Sequence, residues 1–167
     1  YAAGIYLGDA GAVLEGVTVV DYNSDNTGDD RYGCGVYVTA GVVSNCSFTA
    51  CAARNHRPAL ALSGADAKGY AIAVTNNAPL NNTKTYIACV DSGALLVDSE
   101  ISRNVGGEKM LAALGIGGGI VRNCTIADND AESNQEKYAG GVHVSSGGTL
   151  ADSRILRNRL SWRNKTT

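Results

Sequence analysis

The chain repeats itself about every 27 residues, and this period constrains its fold more than any single motif does. Six segments align: Leu14 to Val19, Val43 to Phe48, Gly69 to Val74, Leu96 to Ile101, Val121 to Ile126 and Leu150 to Ile155. Their last residues fall at 19, 48, 74, 101, 126 and 155, so successive copies lie 29, 26, 27, 25 and 29 residues apart. The last column is apolar throughout: Val19, Phe48, Val74, Ile101, Ile126, Ile155. Two residues earlier the column is small or apolar: Val17, Cys46, Ile72, Ser99, Cys124, Ser153. The column between them is mostly polar: Thr18, Ser47, Ala73, Glu100, Thr125, Arg154. A period of two marks a short strand with one face inward.

The columns also place the corners. Gly16, Asn45, Ala71, Asp98, Asn123 and Asp152 share a position just before the strand, and Gly, Asn and Asp tolerate left-handed backbone. Three residues after the strand stand Tyr22, Cys51, Asn77, Asn104, Asn129 and Asn158. Stacked asparagines at one corner can form an amide ladder. A second short strand lies upstream in each copy: Ile5 to Leu7, Val36 to Val38, Leu60 to Leu62, Ala88 to Val90, Leu114 to Ile116 and Val142 to Val144. Insertions follow the asparagine corner at about 23–33, 52–58, 78–86, 105–112 and 130–139, and are expected to project along one edge as a recognition surface. Residues 108–114 read as a helical turn.

These columns predict an all-β fold, a right-handed single-stranded parallel β-helix of about six coils of 25–29 residues. One coil cannot bury its inner face alone, but a stack of coils buries a continuous core. Long helices are excluded by the period and by breakers every few residues. A Greek-key sandwich would not need the same columns in six copies. The composition agrees: 21 glycines among 167 residues and few aromatics suit narrow coils with many corners. The chain reads as a single domain over 1–167, and as a segment of a longer protein, since neither end shows a closing element. A net charge of −2 argues against a nucleic-acid partner, and no apolar run is long enough for a membrane-spanning helix.

The repeats resemble those of a known family. Gly33-Cys34-Gly35-Val36-Tyr37 and Gly140-Gly141-Val142-His143 pair with Ile101-Ser102-Arg103-Asn104, Ile126-Ala127-Asp128-Asn129 and Ile155-Leu156-Arg157-Asn158. This pairing resembles the right-handed parallel β-helix repeats of polymorphic outer-membrane proteins and similar bacterial surface proteins of pectate-lyase-like architecture. The resemblance covers residues 2 to 158. It implies an extracellular or cell-surface location in a bacterium, and a scaffold, adhesion or ligand-presenting role toward a polysaccharide or another surface protein. The same fold also carries pectinolytic enzymes and phage tailspikes, so a polysaccharide lyase or glycoside hydrolase is the alternative, and a trimeric tail fibre a third reading.

Candidate chemistry is sparse. Asp21, Asn23, Asp25 and Asp29 place oxygen donors at alternate positions of an acidic stretch, the spacing that a calcium ion requires, although the sixth and twelfth places hold Asn26 and Tyr32 rather than Gly and Glu. Asp128, Asp130 and Glu132 form a weaker echo. No other cofactor is indicated. Cys46 and Cys124 stand three coils apart, about 14 Å at one rung per ~4.8 Å, too far for a disulfide. They read as small buried hydrophobes; a Cys34–Cys51 bridge is an alternative, and Cys89 falls on an outward position. No catalytic residue is assigned. The outward column of the first strand, Tyr6, Tyr37, Ala61, Cys89, Gly115 and His143, holds no carboxylate. His56 and His143 read as isolated surface residues, Glu100 and Arg154 as solubilising charges, and Arg154, Arg157, Arg159, Arg163 and Lys165 as a polar terminal coil.

Overall fold

The computed structural model describes residues 3–24, 34–53, 59–78, 85–106, 110–133 and 139–162. These residues form strands and turns without a helix, and the strands stack in parallel as a β-solenoid. The paired columns are those of the repeat. Ile5, Val36, Leu60, Ala88, Leu114 and Val142 lie in register in the first sheet, which has nine strands. Val19, Phe48, Val74, Ile101, Ile126 and Ile155 lie in register in the second, where six strands stack. The solenoid amounts to about four turns, fewer than the six coils expected. Among the described residues the third wall is not a continuous sheet. Asn23–Ser24 pairs with Ala52–Ala53, Asp130–Ser133 pairs with Arg159–Trp162, and a single bridge joins Val105 to Asp130.

The first sheet changes character along the stack. In the first three repeats each coil crosses it as one long strand, Ala3–Glu15, Cys34–Ser44 and Leu60–Tyr70. Glycines absorb the bend there. Gly64 has φ +130°, and any side chain on it would start 2.6 Å from the carbonyl oxygen of Thr39. In the last three repeats a turn divides the crossing, as between Thr85–Asp91 and Leu95–Val97, where Ser92 and Gly93 both take positive φ. Met110–Gly117 is a strand paired with Thr85–Asp91 and Val142–Ser145, which corrects the helical turn expected over 108–114. Pairing on both sides, with Leu114 and Ile116 buried, outweighs the helical preference of its Met-Leu-Ala-Ala-Leu run.

Two corners turn the chain in every repeat. The first is the expected column: Gly16, Asn45, Ala71, Asp98, Asn123 and Asp152 all have positive φ. The second uses the residue before the asparagine position, so Asp21, Ala50, Asn76, Arg103, Asp128 and Arg157 also adopt left-handed backbone. For Ala and Arg this conformation costs roughly 1–2 kcal/mol. The asparagine ladder offsets that cost. Asn104 is fully buried, and its Nδ2 donates to Asn129 Oδ1 at 2.8 Å and to the Val74 carbonyl at 3.0 Å. Its Oδ1 accepts from both the backbone N–H and the Nδ2 of Asn77, each at 2.9 Å. Asn77 and Asn129 repeat this pattern, and Cys51 N–H begins the series by donating to Asn77 Oδ1 at 2.8 Å.

A second ladder runs past the first corner. Ser99 Oγ accepts from Ile72 N–H at 3.0 Å and donates to the Val97 carbonyl at 2.8 Å. Ser153 serves Cys124 N–H in the same way, and Cys46 Sγ accepts from Val17 N–H at 3.4 Å. Ser and Cys are therefore interchangeable in this column because each satisfies a corner N–H, which qualifies the purely hydrophobic reading of these cysteines. Cys46, Cys51, Cys89 and Cys124 are buried, and burial raises the pKa of the Cys51 and Cys124 thiols. The Cys34 side chain lies outside the described residues.

The ladder and the core column can each be broken by one substitution. Asn104→Ala leaves two Asn77 donors without an acceptor in a dry corner, so it should cost about 3 kcal/mol or more in denaturant unfolding. Asn158→Ala should cost less, because Asn158 is only half-buried and water can replace it. Ile126→Asp places a carboxylate in a fully buried column and should cost about 4 kcal/mol or more. A melting temperature near that of the parent would refute the packing of that column.

Candidate functional site

The outer face of the first sheet is less open than its sequence column implies. Tyr37, Ala61 and Cys89 are buried there, with Tyr86 packed against them. Cys89 is therefore not a solvent-facing residue. The Tyr6 ring stacks on Tyr37 at 5.7 Å between centroids, and the Tyr6 hydroxyl meets Thr39 Oγ1 at 3.1 Å. Tyr86 lies over Gly115, where a side chain would start 2.6 Å from its ring. It then stacks on His143 at 5.9 Å, and its hydroxyl is 2.6 Å from His143 Nδ1. His143 is thus half-buried and partnered rather than isolated. His56 lies outside the described residues.

A groove of about 700 Å³ runs along the outer face of the second sheet. Its floor is made of small residues, Ala73, Thr125 and Ala127. One rim is the first corner column, with Asp98 and Asn123; the other is the second corner column, with Arg103, Asp128 and Arg157. Glu100 rises from the strand between them. This is the site that the sequence reading missed. Glu100 appears there as one charge of an outward column, whereas Asp98 and Asn123 appear as corner formers. The signal was available in the register: a corner residue at positive φ directs its side chain away from the core, and the stacking of repeats brings such side chains together.

The charges of the groove are paired. Asn123 Nδ2 donates to Asp98 Oδ1. Ser102 Oγ donates to Glu100 Oε1 at 2.5 Å, and Arg103 approaches the same carboxylate at 3.7 Å. Arg157 binds Asp128 with two bonds, Nε to Oδ1 at 2.6 Å and Nη2 to Oδ2 at 2.7 Å. The Arg157 hydrogen bond and charge hold the Asp128 carboxyl below its ordinary pKa, and Asp128 raises that of Arg157. Arg157 and Asp128 therefore do more than provide a polar end to the stack.

The acidic stretch is only partly visible. Asp21 is an exposed corner residue with positive φ and Asn23 is exposed in the third wall. Asp25 and Asp29 lie outside the described residues, as do the parts 25–33, 54–58, 79–84, 107–109 and 134–138 of the expected insertions. Among the described residues no group of three His, Cys, Asp or Glu side chains could hold a metal ion. Of the weaker echo, Asp128 faces Arg157 and Asp130 Oδ1 accepts from Ser161 at 3.4 Å, while the Glu132 side chain lies outside the described residues. Two further aspartates support turns: Asp9 Oδ1 accepts from Gly11 N–H at 2.7 Å and Asp91 Oδ1 from Gly117 N–H at 3.1 Å. Among the described residues no helix is long and apolar enough to cross a membrane.

The fold and groove define a parallel β-solenoid with a polar outer groove. Comparison with protein-family models, with curated proteins and with solved structures finds no match.

The Asp128–Arg157 pair gives the groove a pH signature. A carboxyl with a depressed folded pKa contributes stability above its unfolded pKa, and loses it as pH falls through the folded value. Asp128→Asn should therefore lower the melting temperature slightly at neutral pH, and the difference from the parent should vanish in strong acid. The effect is small because both partners are exposed. A difference that persists in strong acid would show that the pair acts through packing instead of charge.

Proposed function

We propose that this chain is a non-catalytic, ligand-presenting β-helix domain of a secreted or cell-surface bacterial protein, of the kind its repeats resemble in polymorphic outer-membrane proteins. The observation that carries this reading is the pairing of the polar side chains in the groove. Asp98 is occupied by Asn123, Glu100 by Ser102 and Arg103, and Asp128 by Arg157. A general acid or base needs an available proton site with its pKa moved toward neutrality. Asp128 moves the other way. Paired, mutually oriented polar groups instead make a fixed template of donors and acceptors, which suits recognition. The partner is then a polysaccharide or another surface protein, read by a rigid face.

One observation favours the enzymatic alternative, a polysaccharide lyase or glycoside hydrolase. Three carboxylates, Asp98, Glu100 and Asp128, do line one groove. The two readings separate in a turnover assay. Incubation with neutral and acidic polysaccharides should release neither reducing ends nor unsaturated uronides, while binding is detectable by calorimetry or on a glycan array. Turnover that Glu100→Gln abolishes would replace this reading with the enzymatic one.

A further inference from the structure

We infer that the groove on the second sheet binds a neutral oligosaccharide, laid along the solenoid axis across four successive coils. This rests on the ligand-presenting reading above and names its site and ligand class. Three features of the groove point to that chemistry.

The first is repetition. The lining spans four coils: Ala71 to Ala73 in one, Asp98, Glu100 and Arg103 in the next, Asn123, Thr125 and Asp128 in the third, Leu156 and Arg157 in the fourth. Rungs advance by ~4.8 Å, close to the advance of one pyranose unit along an extended chain. A polymer can therefore meet a polar side chain at successive steps, although the columns change chemistry, from Ala73 to Glu100 to Thr125 on the strand and from Arg103 to Asp128 to Arg157 on one rim.

The second is the mixture of donors and acceptors. Sugar hydroxyls both donate and accept, so they need both kinds of partner within reach. Asp98 and Glu100 supply carboxylate acceptors, Arg103 supplies guanidinium donors, and the Thr125 hydroxyl can do either. Their mutual bonds fix these groups before a ligand arrives, which reduces the entropy lost on binding.

The third is charge and shape. Three carboxylates face two guanidinium groups, and Asp128 and Arg157 neutralise one another. Arg103 approaches Glu100, so the groove keeps one net negative charge, at Asp98, which disfavours a polyanion. The small residues of the floor, Ala73, Thr125 and Ala127, leave room for a flat ring.

The test is titration of the whole 167-residue chain with cellohexaose and maltohexaose, with hexagalacturonate as the charged control, followed by amide chemical shifts and calorimetry. At least one neutral hexasaccharide should shift the amides of Ala73, Glu100, Thr125 and Ala127. Thr125→Arg fills the floor and should weaken binding at least about tenfold, equivalent to about 1.4 kcal/mol, with an unchanged melting temperature. Asp98→Ala, at an exposed corner, should weaken it several-fold, and Tyr6→Ala on the first sheet should not change it. Shifts confined to another face would overturn the groove while leaving the ligand-presenting reading intact. Binding of hexagalacturonate alone would overturn the neutral ligand class. No shift from any of the three probes would overturn the oligosaccharide assignment. Cleavage of a bound hexasaccharide would overturn the non-catalytic reading itself.

Discussion

The structure depends on satisfying backbone amides at corners where no strand can pair them. Parallel stacking bonds the strands of each wall to the coils above and below, but a corner interrupts the ladder and leaves N–H groups pointing into a dry interior. Side chains complete the pattern. Asn104 and Asn129 each accept two hydrogen bonds from the preceding coil, Asn77 accepts one from Cys51 N–H, and all three donate one to the following coil while the second amide hydrogen goes to a strand carbonyl. At the other corner Ser99, Ser153 and Cys46 do the equivalent with a single atom. With both corners closed, left-handed backbone at residues such as Arg103 and Ala50 becomes affordable, and the apolar columns are held in register.

That arrangement also decides where recognition can occur. Inward positions are taken by the core and by the corner ladders, so their chemistry is committed to folding. Outward positions are free to vary, and among the described residues those of the second sheet line a groove. On the first sheet Tyr86 and Tyr6 lie across the outer face and bury Tyr37 and Cys89. On the second, small floor residues between two projecting rims create a concavity that needs no loop to enclose it.

Much of this was legible in the repeat. The apolar columns, the first corner and the asparagine ladder follow directly from the spacing, because register in a parallel stack equates residues one period apart. Three things were not. The outward column ending at His143 seemed open because a ring from a residue outside the column, Tyr86, covers it, and side-chain coverage leaves no trace in a period of two. The third wall was hidden because its strands are short and its pairs discontinuous, so asparagine-corner segments such as Asp130–Ser133 read as insertions. The groove was missed because its residues belong to different columns, Asp98 and Asn123 to a corner and Glu100 to a strand, and become neighbours only through the curvature between them. The calcium spacing at Asp21 and Asn23 extends to Asp25 and Asp29, beyond the described residues.

The asparagine ladder has a direction. Every side-chain amide donates toward the following coil, from Asn77 to Asn104 to Asn129 to Asn158. A coil of this kind therefore presents an acceptor on one side and a donor on the other, like a link with matching ends. Duplication or deletion of one whole repeat in the run from Asn77 to Asn129 rejoins the same partners and leaves the line unbroken. Loss of part of a repeat does not. A whole coil is thus the unit in which this line can grow or shrink, and the length of the outer groove would change by the same step.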